Sequence, residues 1–313
     1  MPSIFSQMSD ALRVAVTGAT GLIGPLLVGE LQRQGWEVTV LSRDPSRARA
    51  RLEGVDAVAW DLMGEPAPAA ALAGRDAVIH LAGEPVAQRW SARAKRAISE
   101  SRVIGTRNLV EGLSALASER PTTLIASSAI GYYGPHGEEP LDEETPPGRD
   151  FLARVCVAWE AEAQAATDLG MRVVPVRTGV VLDRSGGALA KMLTPFRLGL
   201  GGPVAGGEQY MSWIHRDDLV GMMVLALSEH SWSGPINATA PTPVSNRDFS
   251  QTLGRVLHRP SLLPVPAVAL RLLYGEMAAI VTTGARVLPA KPLVLGYRFR
   301  HSELYEALRS ALG

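Results

Sequence analysis

The sequence predicts an α/β fold with a doubly wound parallel sheet and a smaller C-terminal domain. Two observations carry this prediction. In the first half of the 313-residue chain, short apolar runs typical of buried parallel strands alternate with helical patterns. In the second half, glycine and proline divide the chain into short pieces, and the chain is long enough for a full α/β domain with a smaller appended region.

The elements follow in chain order. The apolar runs predict strands at 13–17, 37–42, 55–60, 76–81, 123–127 and 172–177. Helical periodicity predicts a helix at 22–34, closed by Gly35, and another at 151–169, ending at Gly170. Between them, residues 91–117 are predicted to form one long helix or two abutting helices. Strands that alternate with helices in this way are joined by right-handed crossovers, so we expect the strands to be parallel. Beyond them we predict helices at 188–198 and 218–228 and a strand-like piece at 234–238.

The most informative segment joins the first strand to the first helix. Residues 14–24 read VAVTGATGLIG, so apolar β-formers run directly into Gly18, Gly21 and Gly24. The first glycine permits a tight turn, the second lets the backbone approach a pyrophosphate, and the third lets helix and strand pack closely. The helix N-terminus adds free N–H groups and a positive dipole end. We therefore predict a Rossmann-type, dinucleotide-binding domain, although an ordinary βα turn has the same local pattern.

The domain organisation follows from this pattern. Residues 12–180, together with about 213–240, are predicted to form the cofactor-binding domain. Residues of about 181–212, together with 241–313, are predicted to form the substrate-side domain, and 1–11 a loose N-terminal tail.

Composition narrows the classes of partner and compartment. Lys and Arg balance Asp and Glu at 31 each, and no basic tract stands out, so we expect no nucleic-acid partner. Cys156 is the only cysteine, which suits a reducing compartment. The six histidines show no second ligand at a metal spacing, so we expect no metal. No apolar run approaches the roughly 20 residues of a membrane helix, and the first dozen residues do not form a signal peptide. We expect a soluble, cytoplasmic protein without a membrane partner.

Several motifs carry a resemblance to a known family. In order they are TGATGLIG, DAVIHLAG, SSAIGYYG and WIHRDDL, and they resemble the extended short-chain dehydrogenase/reductase superfamily, which includes nucleotide-sugar epimerases and dehydratases. The block RTGVVLDRSGGALAKMLTPFRLGLGGPVAGGEQYMSWIHRDDL and the C-terminal LPAKPLVLGYRFRHSELYEAL resemble one branch, the YfcH-like epimerase-family proteins with their small C-terminal domain. The resemblance implies the fold and a nicotinamide cofactor, whereas the substrates of that branch are mostly undefined.

The residues after the second strand bear on the choice of cofactor. NAD-preferring enzymes place an acid there for the ribose 2′-OH, whereas this strand ends at Ser42 and Arg43. A guanidinium grips a 2′-phosphate bidentately, and Ser42 adds a hydroxyl donor. We therefore predict NADP(H) rather than NAD(H), although Asp44 follows one place later and Arg43 can also be read as a solvated loop residue.

Further cofactor contacts are implied by the resemblance. They lie in the glycine turn, after the third, fourth and sixth strands, and on the helix that follows the fourth strand. The residues are Thr20, Leu22, Ile23, Asp61, Leu62, Leu81, Ala82, Gly83, Glu84, Arg102, Gly179 and Val180. His80 lies inside an apolar strand and is expected to be a core histidine.

The family's usual catalytic pair is missing. That pair is Tyr-x-x-x-Lys, in which the lysine lowers the pKa of a phenol that passes a proton. Aligned on Glu160, the two positions hold Leu152 and Cys156, and the helix contains neither tyrosine nor lysine. Cys156 is interpreted as a small buried hydrophobe rather than a nucleophile.

Other side chains remain as catalytic or substrate candidates. The serine position is best matched by Ser128, and Tyr132 and Tyr133 follow in the same loop, where packing is the alternative role. Met192, Trp213 and His215 are predicted to face the substrate, and Asp217 or Asp218 to cap the following helix.

Two functions are compatible with these residues. The first is an NADP(H)-binding oxidoreductase or nucleotide-sugar-epimerase-like enzyme acting on an unidentified small molecule. The second is a non-catalytic NADP(H)-binding sensor or interaction protein, which the missing Tyr/Lys pair favours.

Overall fold

A computed structural model describes residues 11–313, so the predicted tail at 1–11 lies outside the described residues except for Ala11. The strands of the described chain are β1 Arg13–Thr17, β2 Glu37–Ser42, β3 Asp56–Ala59, β4 Ala77–His80, β5 Thr123–Ala129, β6 Pro140–Leu141, β7 Arg172–Thr178, β8 Val180–Leu182, β9 Tyr210–Met211, β10 Trp213–His215, β11 Ile236–Ala238, β12 Val244–Ser245 and β13 Arg286–Val287. The helices are α1 Gly24–Arg33, α2 Pro45–Arg51, α3 Ala69–Leu72, α4 Ala92–Ser114, α5 Phe151–Gln164, α6 Gly187–Arg197, α7 Arg216–Ser228, α8 Asn246–Leu257, α9 Ala267–Tyr274, α10 Ala279–Thr282, α11 Ala290–Val294 and α12 Leu304–Leu312.

The centre of the molecule is a seven-stranded sheet in the order β11-β7-β5-β4-β1-β2-β3. Every pairing in it is parallel. The predicted α/β fold with a doubly wound parallel sheet is therefore confirmed. From β1 the chain builds outward to β2 and β3 and then returns to the other side of β1 with β4. This reversal opens a crevice at the carboxyl ends of β1 and β4, where α/β proteins bind their ligands.

Apolar side chains cover both faces of the sheet, as parallel strands require. One buried cluster joins the sheet to α1 and α7 and includes Leu27, Ile79 and Met222. A second joins the opposite face to α3 and α4 and includes Leu72 and Leu109. A third cluster, formed by α6, α8 and α12, is the core of the C-terminal region. In residues 11–313 no helix combines the length and apolar character needed to cross a membrane.

Two helices start two residues away from the sequence-based expectation. Helix α1 begins at Gly24 rather than at 22, because the residues before it form the turn and Pro25 occupies the first helical turn, where its missing N–H costs nothing. Helix α7 begins at Arg216, and its N-cap is His215, whose side chain accepts from the Asp217 amide. The prediction that Asp217 or Asp218 caps this helix was therefore wrong. Asp218 is instead buried and accepts from the Arg300 and His301 amides at 2.8 and 3.0 Å.

Candidate functional site

The three glycines of the turn after β1 have different surroundings. Gly18 has φ +69°, and a Cβ there would lie 2.7 Å from the Ala82 amide nitrogen. A Cβ on Gly24 would lie 2.2 Å from the Ala19 carbonyl oxygen. Gly21 is exposed, and apart from its chain neighbours the only heavy atom of residues 11–313 within 4 Å of a Cβ there is the Gly18 carbonyl oxygen at 3.1 Å. The first and third glycines are thus required by packing, whereas Gly21 leaves an open cradle above the turn.

The loops predicted to bind the cofactor meet at the carboxyl edge of the sheet. The loop after β4 is held against β1, since the Leu81 amide donates to the Thr17 carbonyl and the Ala82 amide to Thr17 Oγ1. On α4, Arg102 Nη1 donates to the Glu84 carbonyl at 2.9 Å. The guanidinium also lies within about 3.5 Å of a Cβ built on Gly83, so it borders the crevice. The remaining members of the set occupy the turn and the chain just after β7, namely Thr20, Leu22, Ile23, Gly179 and Val180.

The end of β2 places an unpaired cation near the crevice. Arg43 is exposed and makes no ion pair with any residue in 11–313. Asp44, which sequence reasoning left as a competing acid, accepts from the Arg47 amide at 2.9 Å and caps α2. Ser42 Oγ is in hydrogen-bond contact with the Asp44 amide at 3.2 Å. Asp44 therefore has a structural role, which leaves Arg43 as the charged group at this position.

The residues after β3 line the neighbouring part of the edge. Asp61 Oδ1 accepts from the Met63 amide at 3.1 Å, which fixes the turn. Leu62 is half-buried and packs on α4, where a Cβ on Gly105 would lie 2.1 Å from its Cδ1. His80 is a core residue as expected, because it is fully buried between the hydroxyls of Thr17 and Thr106, and burial lowers its pKa to about 4.

A buried ionic network lies at the carboxyl end of β5. Ser128 Oγ donates to Glu160 Oε1 at 2.5 Å. Arg177 on β7 donates to both oxygens of Glu160, each at 2.9 Å. Arg177 is only 3% exposed, so this bidentate pair lies in a low-dielectric environment. Sequence reasoning used Glu160 only as an alignment marker and missed Arg177, although Glu160 lies one helical turn beyond Cys156 on the same face of α5.

The two loop tyrosines have unlike positions. The Tyr132 ring is half-buried and lies over the Arg177 guanidinium, 3.5 Å from its carbon to the ring centroid. Tyr133 is fully buried, with its hydroxyl donating to Asn237 Oδ1 at 2.7 Å and accepting from Arg177 Nη1 at 3.0 Å. Burial raises the pKa of Tyr133 to about 12. The expectation of a reacting Tyr133 is therefore corrected to a structural role, because its hydroxyl is enclosed and both its bonds are made.

This position of Tyr133 predicts a loss of stability. Tyr133→Phe leaves the buried Asn237 amide oxygen and one Arg177 donor without a partner, so we expect the free energy of unfolding to fall by about 1–3 kcal/mol. Urea denaturation measures the change. Tyr132→Phe is the matched control, because its half-buried hydroxyl makes no hydrogen bond with residues 11–313. Equal stabilities for the two variants would contradict the assignment.

The two positions of the missing catalytic pair carry neither a phenol nor an amine, and both side chains pack against the loop after β5. Leu152 and Cys156 stand behind the loop after β5, 3.3 Å and 3.9 Å from a Cβ built on Gly131. Cys156 is 4% exposed, and burial raises the pKa of its thiol to about 12. A thiol of this kind is neutral at physiological pH and is a poor nucleophile.

Of the three residues predicted to face a substrate, one is half-buried and two are buried. Met192 on α6 is half-buried. Trp213 is fully buried and donates from Nε1 to the Thr242 carbonyl at 3.1 Å, and His215 is 1% exposed. The expectation that Trp213 and His215 face a substrate is thus corrected, because both side chains lie in the core.

His215 also has a neighbour that spacing did not reveal. Its ring stacks on His301 with centroids 3.8 Å apart, and with Asp217 the two histidines bring three ligand-type atoms within 4.8 Å of one another. His215 Nδ1 already accepts from the Asp217 amide. The contact between His215 and His301 therefore links the start of α7 to the C-terminal segment.

Comparisons with known proteins agree with this geometry. The model of the NAD dependent epimerase/dehydratase family matches residues 14–237, and a domain of unknown function, DUF1731, matches residues 265–311. A chloroplastic homologue of epimerase family protein SDR39U1 from Arabidopsis thaliana is 41% identical, with 98% of this chain and 88% of that protein covered. Epimerase family protein YfhF of Bacillus subtilis is 39% identical, with 95% and 97% covered.

A solved structure is similar along the whole chain. The crystal structure of human epimerase family protein SDR39U1 (isoform 2) with NADPH has a TM-score of 0.86 and 35% identity, with 96% of this chain and 99% of that chain covered. The resemblance inferred from the motifs is therefore confirmed, including the small C-terminal domain. Because the family model spans more than half of the chain and relatives align along nearly all of it, this protein belongs to the NAD dependent epimerase/dehydratase family.

Proposed function

We propose that this protein binds NADP(H) at the carboxyl edge of its sheet and acts as an oxidoreductase or epimerase-like enzyme on a small molecule. The observation that carries the proposal is the open cradle at Gly21, placed at the crevice between β1 and β4. The first turn of α1 supplies amides without intrahelical partners and the positive end of a helix dipole, which suit a pyrophosphate. The NADPH bound by the human relative supports the same assignment.

Arg43 is proposed to select the phosphorylated cofactor. It lies at the end of β2, next to β1 in the sheet, and its charge is not neutralised by any acid in residues 11–313. Because Asp44 Oδ1 caps α2, we infer that this carboxylate does not accept from a ribose 2′-OH. A guanidinium in this position favours a 2′-phosphate over a 2′-hydroxyl.

The proposal predicts a change in cofactor preference. A charge-assisted contact contributes about 1.5–3 kcal/mol, so Arg43→Ala is expected to weaken NADPH binding by about 10- to 100-fold and leave NADH binding nearly unchanged. Isothermal titration of both cofactors measures this. Arg51→Ala, which removes an exposed arginine at the other end of α2, is the matched control. Equal affinities of the wild-type protein for NADPH and NADH would overturn the role of Arg43.

The chemistry is assigned to the residues around Arg177. A bound nicotinamide supplies or accepts a hydride. Tyr132 is the half-exposed phenol at this edge, and its ring is held in place by stacking on Arg177. We assign it the proton transfer to or from the substrate oxygen. Ser128 acts as a positioning residue, since its hydroxyl holds Glu160, which in turn holds Arg177.

The alternative is a non-catalytic sensor of NADP(H), which the apolar side chains of Leu152 and Cys156 favour. A panel of carbonyl compounds and nucleotide sugars, first screened for a rise in melting temperature, separates the two functions. Oxidation of NADPH with any ligand that raises the melting temperature supports the enzyme. Cofactor binding without turnover for every such ligand supports the sensor.

A further inference from the structure

Helix α9 is apolar, yet it buries none of its residues. Leu272 and Leu273 are 75% and 66% exposed, and Val268 is 66% exposed. A helix of a globular protein normally packs its apolar face on a core. The exposed face of α9 therefore requires a partner outside the described chain.

The apolar surface extends beyond α9. The segments 197–203 and 259–265 lie side by side, since the Val265 amide donates to the Pro203 carbonyl at 2.8 Å and Arg259 Nε to the Arg197 carbonyl at 3.0 Å. Both segments carry exposed leucines, and the second of them leads directly into α9. We call this surface the leucine patch, and it consists of Leu198, Leu200, Leu262, Leu263, Leu272 and Leu273.

The patch accounts for a substantial apolar area. Its six leucines are between 50% and 82% exposed. The transfer free energy of a leucine side chain corresponds to about 100 Å² of apolar area when the side chain is fully exposed. Scaled by their exposed fractions, the six leucines present on the order of 400 Å² of apolar area. An apolar area of this size is comparable to the largest patch of a typical monomer, and such patches often contact a protein or a membrane.

Charge decides between these two partners. The segments 195–203 and 257–275, which carry the patch, contain Arg197, Arg259 and Arg271 and no Asp or Glu, and Glu276, which follows directly, is paired with Lys95. All three arginines are exposed, and none forms an ion pair with another residue of the described range. A second copy docked here about a two-fold axis would oppose like charges. Apolar side chains flanked by arginines instead match an anionic lipid surface.

We propose that the leucine patch docks the protein onto membranes that contain anionic lipids. The leucines enter the boundary between headgroups and acyl chains, and the arginines contact lipid phosphates. This contact needs no spanning helix, so it differs from the membrane helix that the sequence analysis excluded. It does revise the expectation that the protein has no membrane partner.

Vesicle co-sedimentation of the full chain tests the proposal. Vesicles of phosphatidylcholine mixed with phosphatidylglycerol are expected to pellet the protein, and phosphatidylcholine alone is not. Leu272→Asp should lower the partition coefficient by about 10- to 100-fold, and Arg271→Ala by about fivefold with a weaker dependence on salt. Val294→Asp is the matched control, because Val294 is 86% exposed on α11, outside the patch, and should leave the partition unchanged.

Three outcomes would overturn it. The first is no pelleting with anionic vesicles. The second is equal loss of pelleting in Val294→Asp, which would mean that the patch has no special role. The third is a wild-type dimer in sedimentation equilibrium that Leu272→Asp converts to a monomer without vesicle binding, which would identify a second copy as the occupant.

Discussion

Replacing Tyr132 with phenylalanine is expected to lower turnover by about 10²–10⁴-fold, the usual contribution of a positioned proton transfer. The substitution keeps the ring that stacks on Arg177 and removes only the hydroxyl. The affinity for NADPH and the free energy of unfolding should therefore stay close to the wild-type values. The assay is NADPH oxidation with the carbonyl ligand that raises the melting temperature most.

Cys156→Ala is the control for this prediction. Burial holds the thiol in its neutral form, so its removal should change turnover by less than about twofold, and iodoacetamide should not label the native protein at neutral pH. Full activity of Tyr132→Phe, together with loss of activity in a well-folded Cys156→Ala, would transfer the chemical role to the cysteine.

Gly21→Val is expected to weaken NADP(H) binding by at least about 100-fold. The branched side chain would fill the cradle where the pyrophosphate lies, and the loss of two charge-assisted contacts costs about 3 kcal/mol or more. The fold should tolerate the change, because Gly21 is exposed and does not adopt a positive φ. Gly29→Val on α1 is the matched control, since a Cβ there meets no side chain and no backbone of another element within 4 Å in residues 11–313. Unchanged NADPH affinity in folded Gly21→Val would show that this turn does not hold the cofactor.

The parts of the fold that local sequence determines were predictable. The strands β1, β2, β3, β4, β5 and β7 of the central sheet are short apolar runs in the sequence. The glycine turn was recognisable because Gly18 and Gly24 stand where a Cβ would collide with backbone atoms. The starts of two helices shifted by two residues. Helix α1 starts at Gly24 because the glycine turn precedes it and Pro25 occupies its first turn, and α7 starts at Arg216 because His215 caps it. A histidine cap could not be expected from the usual preference for Ser, Thr, Asp and Asn.

The candidate site was less predictable because its contacts join distant elements. Glu160 and Arg177 pair across α5 and β7, and Asn237 on β11 meets Tyr133, which is 104 positions earlier in the chain. Adjacent tyrosines in one loop look alike in sequence, yet one is enclosed and the other is not. Only the packing of the loop distinguishes Tyr132 from Tyr133.

Transfer of deuterium from NADPH to a ligand tests most directly the claim that this protein is an enzyme. The protein is loaded with NADPH that carries deuterium at the nicotinamide C4, on either face in separate samples, and mixed with the ligand that raises its melting temperature. We predict that mass spectrometry will find one deuterium on the former carbonyl carbon of that ligand, from one face only, and little label when Tyr132→Phe replaces the wild type. Tight NADPH binding with no deuterium transferred to any such ligand, and no epimerisation of it, would contradict the enzymatic account and leave a cofactor-binding sensor.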